Sequence, residues 1–378
     1  MCDTPPNWET IQLPPEHILQ HHAHCHPTDV DRSQEDYHAV GLGGLAAMAT
    51  ADDQHLVAGL SAARPWNIDA PGPSRQHRGP RVVAAFDPPP PKEEHYRAVL
   101  TPRPAQEDAF VALLPHLPEP EAFAPLLQGV RDSVMREQAA GRLVLVGEIG
   151  LDAFARVRIR PTHSAANDAE GAQTPAEAVL GLRNRLSPFK TTLSHQAAIA
   201  RLQLDIAITL AVPASIHCVN APGATLDLLQ RARAHHGPAS FARTNICIHS
   251  CGGMSPAFLA QTARALPNAF FSPSVSVTAR SGAARAVVGV VPRERLLVES
   301  DAPDVRAVTH LVWAAAAWIA ECRGWRLEGA ETAEWEPGVE DEDEVFDEKG
   351  RVRALREDEV WAVRMLERNW ARFMGMDV

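Results

Sequence analysis

The sequence predicts an α/β fold: a closed (β/α)8 barrel of TIM type with loop insertions. Three observations lead there. Short apolar runs of strand length recur eight times along the 378 residues. Segments of helical periodicity separate several of them, the rhythm of parallel βα units. Imidazole and carboxylate side chains gather at the ends of five runs, where barrel enzymes carry their chemistry.

The first run, Ile18–Cys25, leads into His22-Ala23-His24-Cys25-His26. Leu42–Thr50 follows, then Arg81–Asp87, which enters the stiff proline stretch Pro88–Pro91. Leu143–Leu151, Pro213–Val219, Thr244–Ser250, Ala269–Val277 and Arg295–Ser300 complete the set. Helices are predicted over Ser194–Leu210, Ala224–His236, Ser255–Leu266, Thr309–Trp325 and Asp358–Met376. In the first of these, Ile199, Leu202, Ile206 and Leu210 recur at helical spacing. In the last, Trp361, Val363, Met365, Leu366, Trp370 and Phe373 supply the apolar side chains. Residues 63–80, 160–175 and 328–348 break the rhythm and read as loops inserted into one domain spanning 1–378.

The chain carries 47 acidic and 36 basic side chains, a formal charge of −11. Eleven of the acids fall between Glu328 and Glu348, with no Lys or Arg among them. The remainder is formally neutral, which excludes a broadly basic nucleic-acid binder. The acidic and proline-rich loops are candidate docking elements for a protein partner. No stretch approaches the roughly 20 apolar residues of a membrane span. The first residues lack the basic and apolar regions of a secretory signal. Six cysteines, four of them in or just after apolar strands beside histidines, suit free thiols in a reducing compartment. An intracellular location, cytoplasmic or nuclear, is therefore expected.

The strand ends carry the chemistry. His24 and His26 are two apart, so in a strand they point the same way and can aim at one ion. The fourth run contains Gly147-Glu148-Ile149-Gly150-Leu151-Asp152, the fifth Ile216-His217-Cys218, and the sixth Ile248-His249-Ser250. The eighth leads into Glu299-Ser300-Asp301-Ala302-Pro303. Each histidine alone would ordinarily be a core residue, and each carboxylate a structural one. Glu148, however, lies in the apolar run LVLVGEIGL, where an unpaired charge is costly. One such residue at each of five strand ends favours a metal site of nitrogen and oxygen ligands.

These motifs, in this order, resemble the TatD family of metal-dependent hydrolases, within the amidohydrolase-like barrel superfamily. The resemblance covers residues 18–50, 81–87, 143–152, 194–303 and the helix containing Asn369. Arg158-Ile159, Leu186-Ser187-Pro188 and the H-C-V-N-A sequence look most like the fungal branch that includes Cut9-interacting proteins. The resemblance implies two divalent ions (Zn, Mn or Mg), with His24, His26, Glu148, His217, His249 and Asp301 as ligands. Glu148 would bridge, and Asp301 would also position the nucleophilic water, making these two the catalytic pair. The implied activity is that of a phosphodiesterase, a deoxyribonuclease with DNA as substrate. The sequence departs from the family pattern at His22, where an Asp is usual, at Asp87, where a His-Pro segment is usual, and at Val219, where an Arg is frequent. An Arg at 219 could hold a phosphate bidentately. Its loss leaves two alternatives open: hydrolysis of an amide, ester or lactone on the same metal site, and a scaffold or interaction protein.

Overall fold

The computed structural model describes residues 5–14, 21–26, 29, 36, 39–42, 44–48, 68–70, 82–83, 89–158, 186–329, 344–346 and 352–376. Strands β1 (His21–Cys25), β2 (Gly44–Met48) and β3 (Ile68–Ala70) pair in parallel in that order. β4 (Val82–Val83) pairs in parallel with β5 (Glu121–Ala122). Around β5 stand the helices α1 (Lys92–Leu100), α2 (Glu107–Leu113) and α3 (Ala124–Ala139). β6 (Val146–Asp152) is followed by an antiparallel ribbon of β7 (Arg156–Arg158) and β8 (Leu186–Lys190). The chain then alternates regularly through α4 (Leu193–Leu210), β9 (Ala214–Val219), α5 (Pro222–His236) and the short α6 (Pro238–Ala242). It continues with β10 (Ile246–His249), α7 (Pro256–Ala265), β11 (Ala269–Ser272), α8 (Ala284–Val290) and α9 (Val305–Arg323). A small hairpin, β12 (Glu344–Phe346) with β13 (Val352–Ala354), precedes the closing helix α10 (Ala362–Met374).

A second parallel sheet runs in the order β11-β10-β9-β6. All four residues of β10 are buried, as suits a strand covered on both faces. The segment 296–302 ties the two sheets together. Leu296 bridges Phe271 of β11, and Leu297 N donates to Phe271 O at 2.9 Å. At the other end Asp301 N donates to His24 O at 3.2 Å, and His26 N donates to Ala302 O at 2.9 Å. Backbone bonding thus runs unbroken from β3 through β1 and 296–302 to β6. Among the described residues no pairing joins β3 to β6. The arrangement is the parallel α/β pattern of the predicted barrel.

Two apolar layers hold it. The larger cluster packs outward strand residues such as Ile149, Ile216 and Ile248 against helices, including Leu204, Leu229 and Val312. A smaller cluster joins Ala46, Met48, Leu145, Cys247, Phe270 and Leu297 to Trp370, Phe373 and Met374 of α10. Cys247 lies two residues before His249, and Leu297 four before Asp301, so this cluster forms an apolar floor under the strand ends. Asn245 fixes the floor by donating from Nδ2 to Arg372 O and Phe373 O, at 2.8 and 2.9 Å.

Several elements differ from expectation. α1, α2 and α3 were not legible. α3, for instance, buries only Val130, Ser133, Val134 and Glu137, so its apolar stripe is thin. Ile68–Ala70, inside the predicted loop 63–80, is strand β3, and its flanks lie outside the described residues. The predicted strand Ala269–Val277 stops at Ser272 and turns through a single 3₁₀ turn at Thr278–Arg280. The predicted loop 160–175 lies outside the described residues, as does most of 328–348. Glu328 is an exception: it is buried, and its carboxylate accepts from Val363 N and Arg364 N at 2.9 and 3.0 Å. The first acid of the acidic run is thus the cap of α10. The five described cysteines are buried free thiols. No described helix is long and apolar enough to cross a membrane.

Candidate metal centre

Five of the six predicted site residues sit on or just after parallel strands and Asp301 lies in the 296–302 segment, and the structure brings all six together. His24 and His26 come from β1, Glu148 from β6, His217 from β9, His249 from β10, and Asp301 from the 296–302 segment. The register explains the convergence: Gly150 of β6 faces His217 of β9, and Ile216 faces Ile248, one residue before His249.

Two glycines let β6 press against β9. A Cβ on Gly150, whose φ is +151°, would stand 2.0 Å from His217 O. A Cβ on Gly147 would stand 2.9 Å from the Ser215 Cβ. No other residue permits so close an approach of backbone to backbone. The glycines flanking Glu148 therefore set the depth at which its carboxylate reaches the histidines. Asn220, Ser250, Cys251 and Asp301 hold positive φ angles of 50°, 48°, 52° and 51°. Left-handed backbone at non-glycine residues is costly, and it clusters here at the ends of the site-bearing strands.

Glu148 lies at the centre. Its Oε1 meets the ring nitrogens of His217, in a very short contact, and of His249, at 2.9 Å. Its Oε2 is 3.5 Å from His26 Nε2. His24 Nε2 and His26 Nε2 are 3.2 Å apart, and both approach Asp301 Oδ1, at 3.7 and 3.8 Å. The His24 and His249 rings stack in parallel with centroids 4.0 Å apart. Three overlapping groups result: His24, His26 and Glu148; Glu148, His217 and His249; and His24, His249 and Asp301. Within each group the donor atoms lie within 4.8 Å of one another.

The electrostatics fit a cation. Burial pushes the Asp301 carboxyl up to about 6; Glu299 and Glu148 raise it too, while His249 and His217 oppose them. Burial works against protonation of His249, but the hydrogen bond and charge of Glu148, with the nearby charge of Glu299, outweigh it and raise its pKa well above the usual histidine range. Such a nest of carboxylates and imidazoles relieves its own repulsion when a positive ion enters. Nitrogen and oxygen donors at this density suit zinc, manganese or magnesium.

Two supporting residues escaped the sequence. Ser215 Oγ sits 2.9 Å from His24 Nδ1. A proton donated by that Nδ1 leaves the Nε2 lone pair facing the site. A serine in an apolar strand carries no such signal in the sequence. Glu299 is completely buried, and its carboxylate accepts from Ser250 N at 2.7 Å and Ser250 Oγ at 2.6 Å. Its other oxygen takes a very short bond from the Ser272 hydroxyl. Its Oε1 is 3.9 Å from His249 Nδ1. Glu299 stood in the sequence only as part of the run leading to Asp301; Ser250 follows β10 and Ser272 ends β11. Of the departures from the family pattern, Val219 ends β9. The His22 side chain and Asp87 lie outside the described residues.

The TatD-related DNase family model matches residues 119–335, more than half of the sequence. The chain belongs to the TatD family. It is also 25% identical over 353 residues to the Cut9-interacting protein scn1 of Schizosaccharomyces pombe, a match covering 81% of this chain and 93% of that protein. Its fold is similar to the crystal structure of YJJV, a TatD homologue from Escherichia coli K12. That likeness has a TM-score of 0.52 and 16% identity, and covers 96% of this chain and all of the other. This TatD-family chain thus has a hydrolase fold with three candidate metal-binding groups at its strand ends.

Proposed function

We propose that the chain is a divalent-metal-dependent phosphodiesterase of the deoxyribonuclease type. The observation that carries this reading is Glu148, whose two oxygens face two separate histidine sets. A carboxylate so placed suits a bridge between two ions. His24, His26, Glu148 and Asp301 would hold one ion, and Glu148, His217 and His249 the other. Divalent ions bound there would supply Lewis-acid polarisation of the scissile ester and a nucleophilic water at neutral pH. The chain's own groups do the rest. Asp301 Oδ1 is placed to accept a proton. Ser215 fixes the imidazole of His24, Glu148 holds that of His249, and the apolar floor beneath them excludes bulk water.

The test is turnover of single- and double-stranded DNA with Mg²⁺, Mn²⁺ or Zn²⁺ by the wild type and by Glu148→Gln. Loss of a bridging charge worth several kcal/mol lowers the rate at least about a hundredfold. Equal rates would refute the site. A phosphate-free ester, amide and lactone panel separates the other hydrolase reading, which the absence of an Arg at Val219 favours.

A second reading is engagement of a protein partner. It draws on the name of the fission-yeast relative and on the eleven acids from Glu328 to Glu348. Co-purification of partners with and without residues 331–343, leaving the Glu328 cap intact, tests it. An intracellular setting, cytoplasmic or nuclear, belongs to the same proposal.

A further inference from the structure

The β7–β8 ribbon has no part in the metal site, yet it grows directly from it. β6 carries Glu148 and ends at Asp152, which pairs with Val219, two residues beyond His217. Asp152 Oδ1 then accepts from Phe154 N at 2.7 Å, and β7 begins at Arg156. Gln196 of α4 clamps this root by accepting from Asp152 N at 2.7 Å and donating to Asp152 O and Thr191 O at 2.9 and 3.0 Å. The ribbon is thus held firmly at the rim of the strand ends that bear the histidines.

Its two faces differ. Val157 and Phe189 are buried against Tyr96, Phe110 and Leu113. The other face exposes Phe154, Arg156, Leu186, Pro188 and Lys190. Phe154 is 54% exposed, which is unusual for a phenylalanine on a rigid turn. Arg156 and Lys190 stand directly opposite each other across the ladder. Like charges in that position repel. Among the described residues neither has a carboxylate within ion-pair distance, whereas Arg97, Arg136 and Arg142 do. Lys190 Nζ lies 4.3 Å from the Phe154 ring centre, so it covers only one side of the ring.

A cation pair with no carboxylate partner among the described residues, next to an exposed aromatic face, is the pattern that takes a nucleic-acid strand: phosphate on the cations and a base on the ring. We propose that the exposed face of the β7–β8 ribbon is a docking track for single-stranded nucleic acid, with Arg156 and Lys190 on the phosphates and Phe154 stacking on a base. This inference rests on the phosphodiesterase reading for its purpose, since the ribbon is rooted at Asp152, four residues beyond Glu148 on β6. Its binding test is independent of catalysis. A duplex keeps its bases stacked inward and offers Phe154 no ring to meet, so the ribbon favours single strands.

The experiment is fluorescence anisotropy of the full chain in EDTA with a labelled single-stranded 12-mer, the matched duplex and heparin, across a salt series. The wild type binds the single strand more tightly than the duplex. Arg156→Ala/Lys190→Ala lowers the slope of log K against log[salt] by about 1.4, two phosphate contacts at roughly 0.7 each. Phe154→Ala weakens single-strand binding about tenfold, within the range of one lost base stack. Unchanged thermal midpoints show that the variants fold. Three results overturn the proposal: no single-strand binding by the wild type, equal binding of duplex or heparin, or variants that keep the wild-type affinity and slope. The two readings fail separately. A wild type that binds the strand in EDTA but never cuts it with metals defeats the phosphodiesterase reading and leaves the track. A wild type that cuts DNA while the ribbon variants bind normally defeats the track alone.

Discussion

Ser215 shows how much of a metal site lies behind its ligands. Its hydroxyl faces His24 Nδ1 and so selects the nitrogen that points into the centre. Replacing it with alanine leaves every ligand in place yet frees the ring to turn or change tautomer. Ser215→Ala is expected to lower metal affinity about tenfold to a hundredfold, measured by titration calorimetry with Mn²⁺ or Zn²⁺. Wild-type affinity would remove Ser215 from the site. The six candidate ligands were legible because their types are rare in apolar strands and recur at strand ends. Ser215 was not, since a serine fits quietly in a buried strand and only His24, on a strand of the other sheet, gives it a purpose. Glu299 was legible as a charge but not as a hub, because Ser250 and Ser272 reach it across two other strands.

At the scale of elements, the regular half of the chain was the easier to read. α4, α5, α7, α9 and α10 fall close to the predicted spans because each presents a wide apolar stripe to the sheets. α10 shows what lies outside such a pattern. Its cap, Glu328, comes from a segment that reads as uniform acidic loop, 34 residues before the helix begins at Ala362. Glu328→Ala strips two backbone N–H groups of their acceptor and is expected to cost about 1–2 kcal/mol, read from denaturant unfolding. A variant as stable as the wild type would deny the cap. The approach to α10 is fixed by a second acid. Hydrogen bonds from Arg353, with a backbone bond at Arg356, hold the half-buried Glu359 carboxyl down at about 2, against its ordinary value of 4.5. A depressed folded-state value stabilises the fold above the unfolded value and loses that effect as pH falls toward the folded one. The Tm difference between wild type and Glu359→Gln should therefore hold steady above about 4.5 and shrink below it. A difference that does not change with pH would contradict the pairing.

For the whole molecule, the −11 charge and the site belong to different regions. The eleven acids follow α9, whereas the candidate ligands span His24 to Asp301. Ligands drawn from five separate stretches of chain couple metal binding to global stability. Mn²⁺ at a hundred times its Kd is expected to stabilise the wild type by about 2.7 kcal/mol, seen as a rise in Tm that Glu148→Gln largely loses. An equal rise in both would place the bound ion elsewhere. The barrel class was legible from the count and order of the runs. The eighth run, Arg295–Ser300, marked the tie between the two sheets; the structure corrects its form, because 296–302 makes its bonds to β1 and β11 without a regular strand.

That tie has a consequence for the life of the chain. His24 leaves the ribosome early, but its neighbours Ser215 and Asp301 arrive 191 and 277 residues later. No shorter nascent chain can assemble the centre, and such distant pairings are slow to form. A copy that ends before Asp301 therefore lacks the seam it anchors, so the six-residue centre is withheld until synthesis has passed the last strand end.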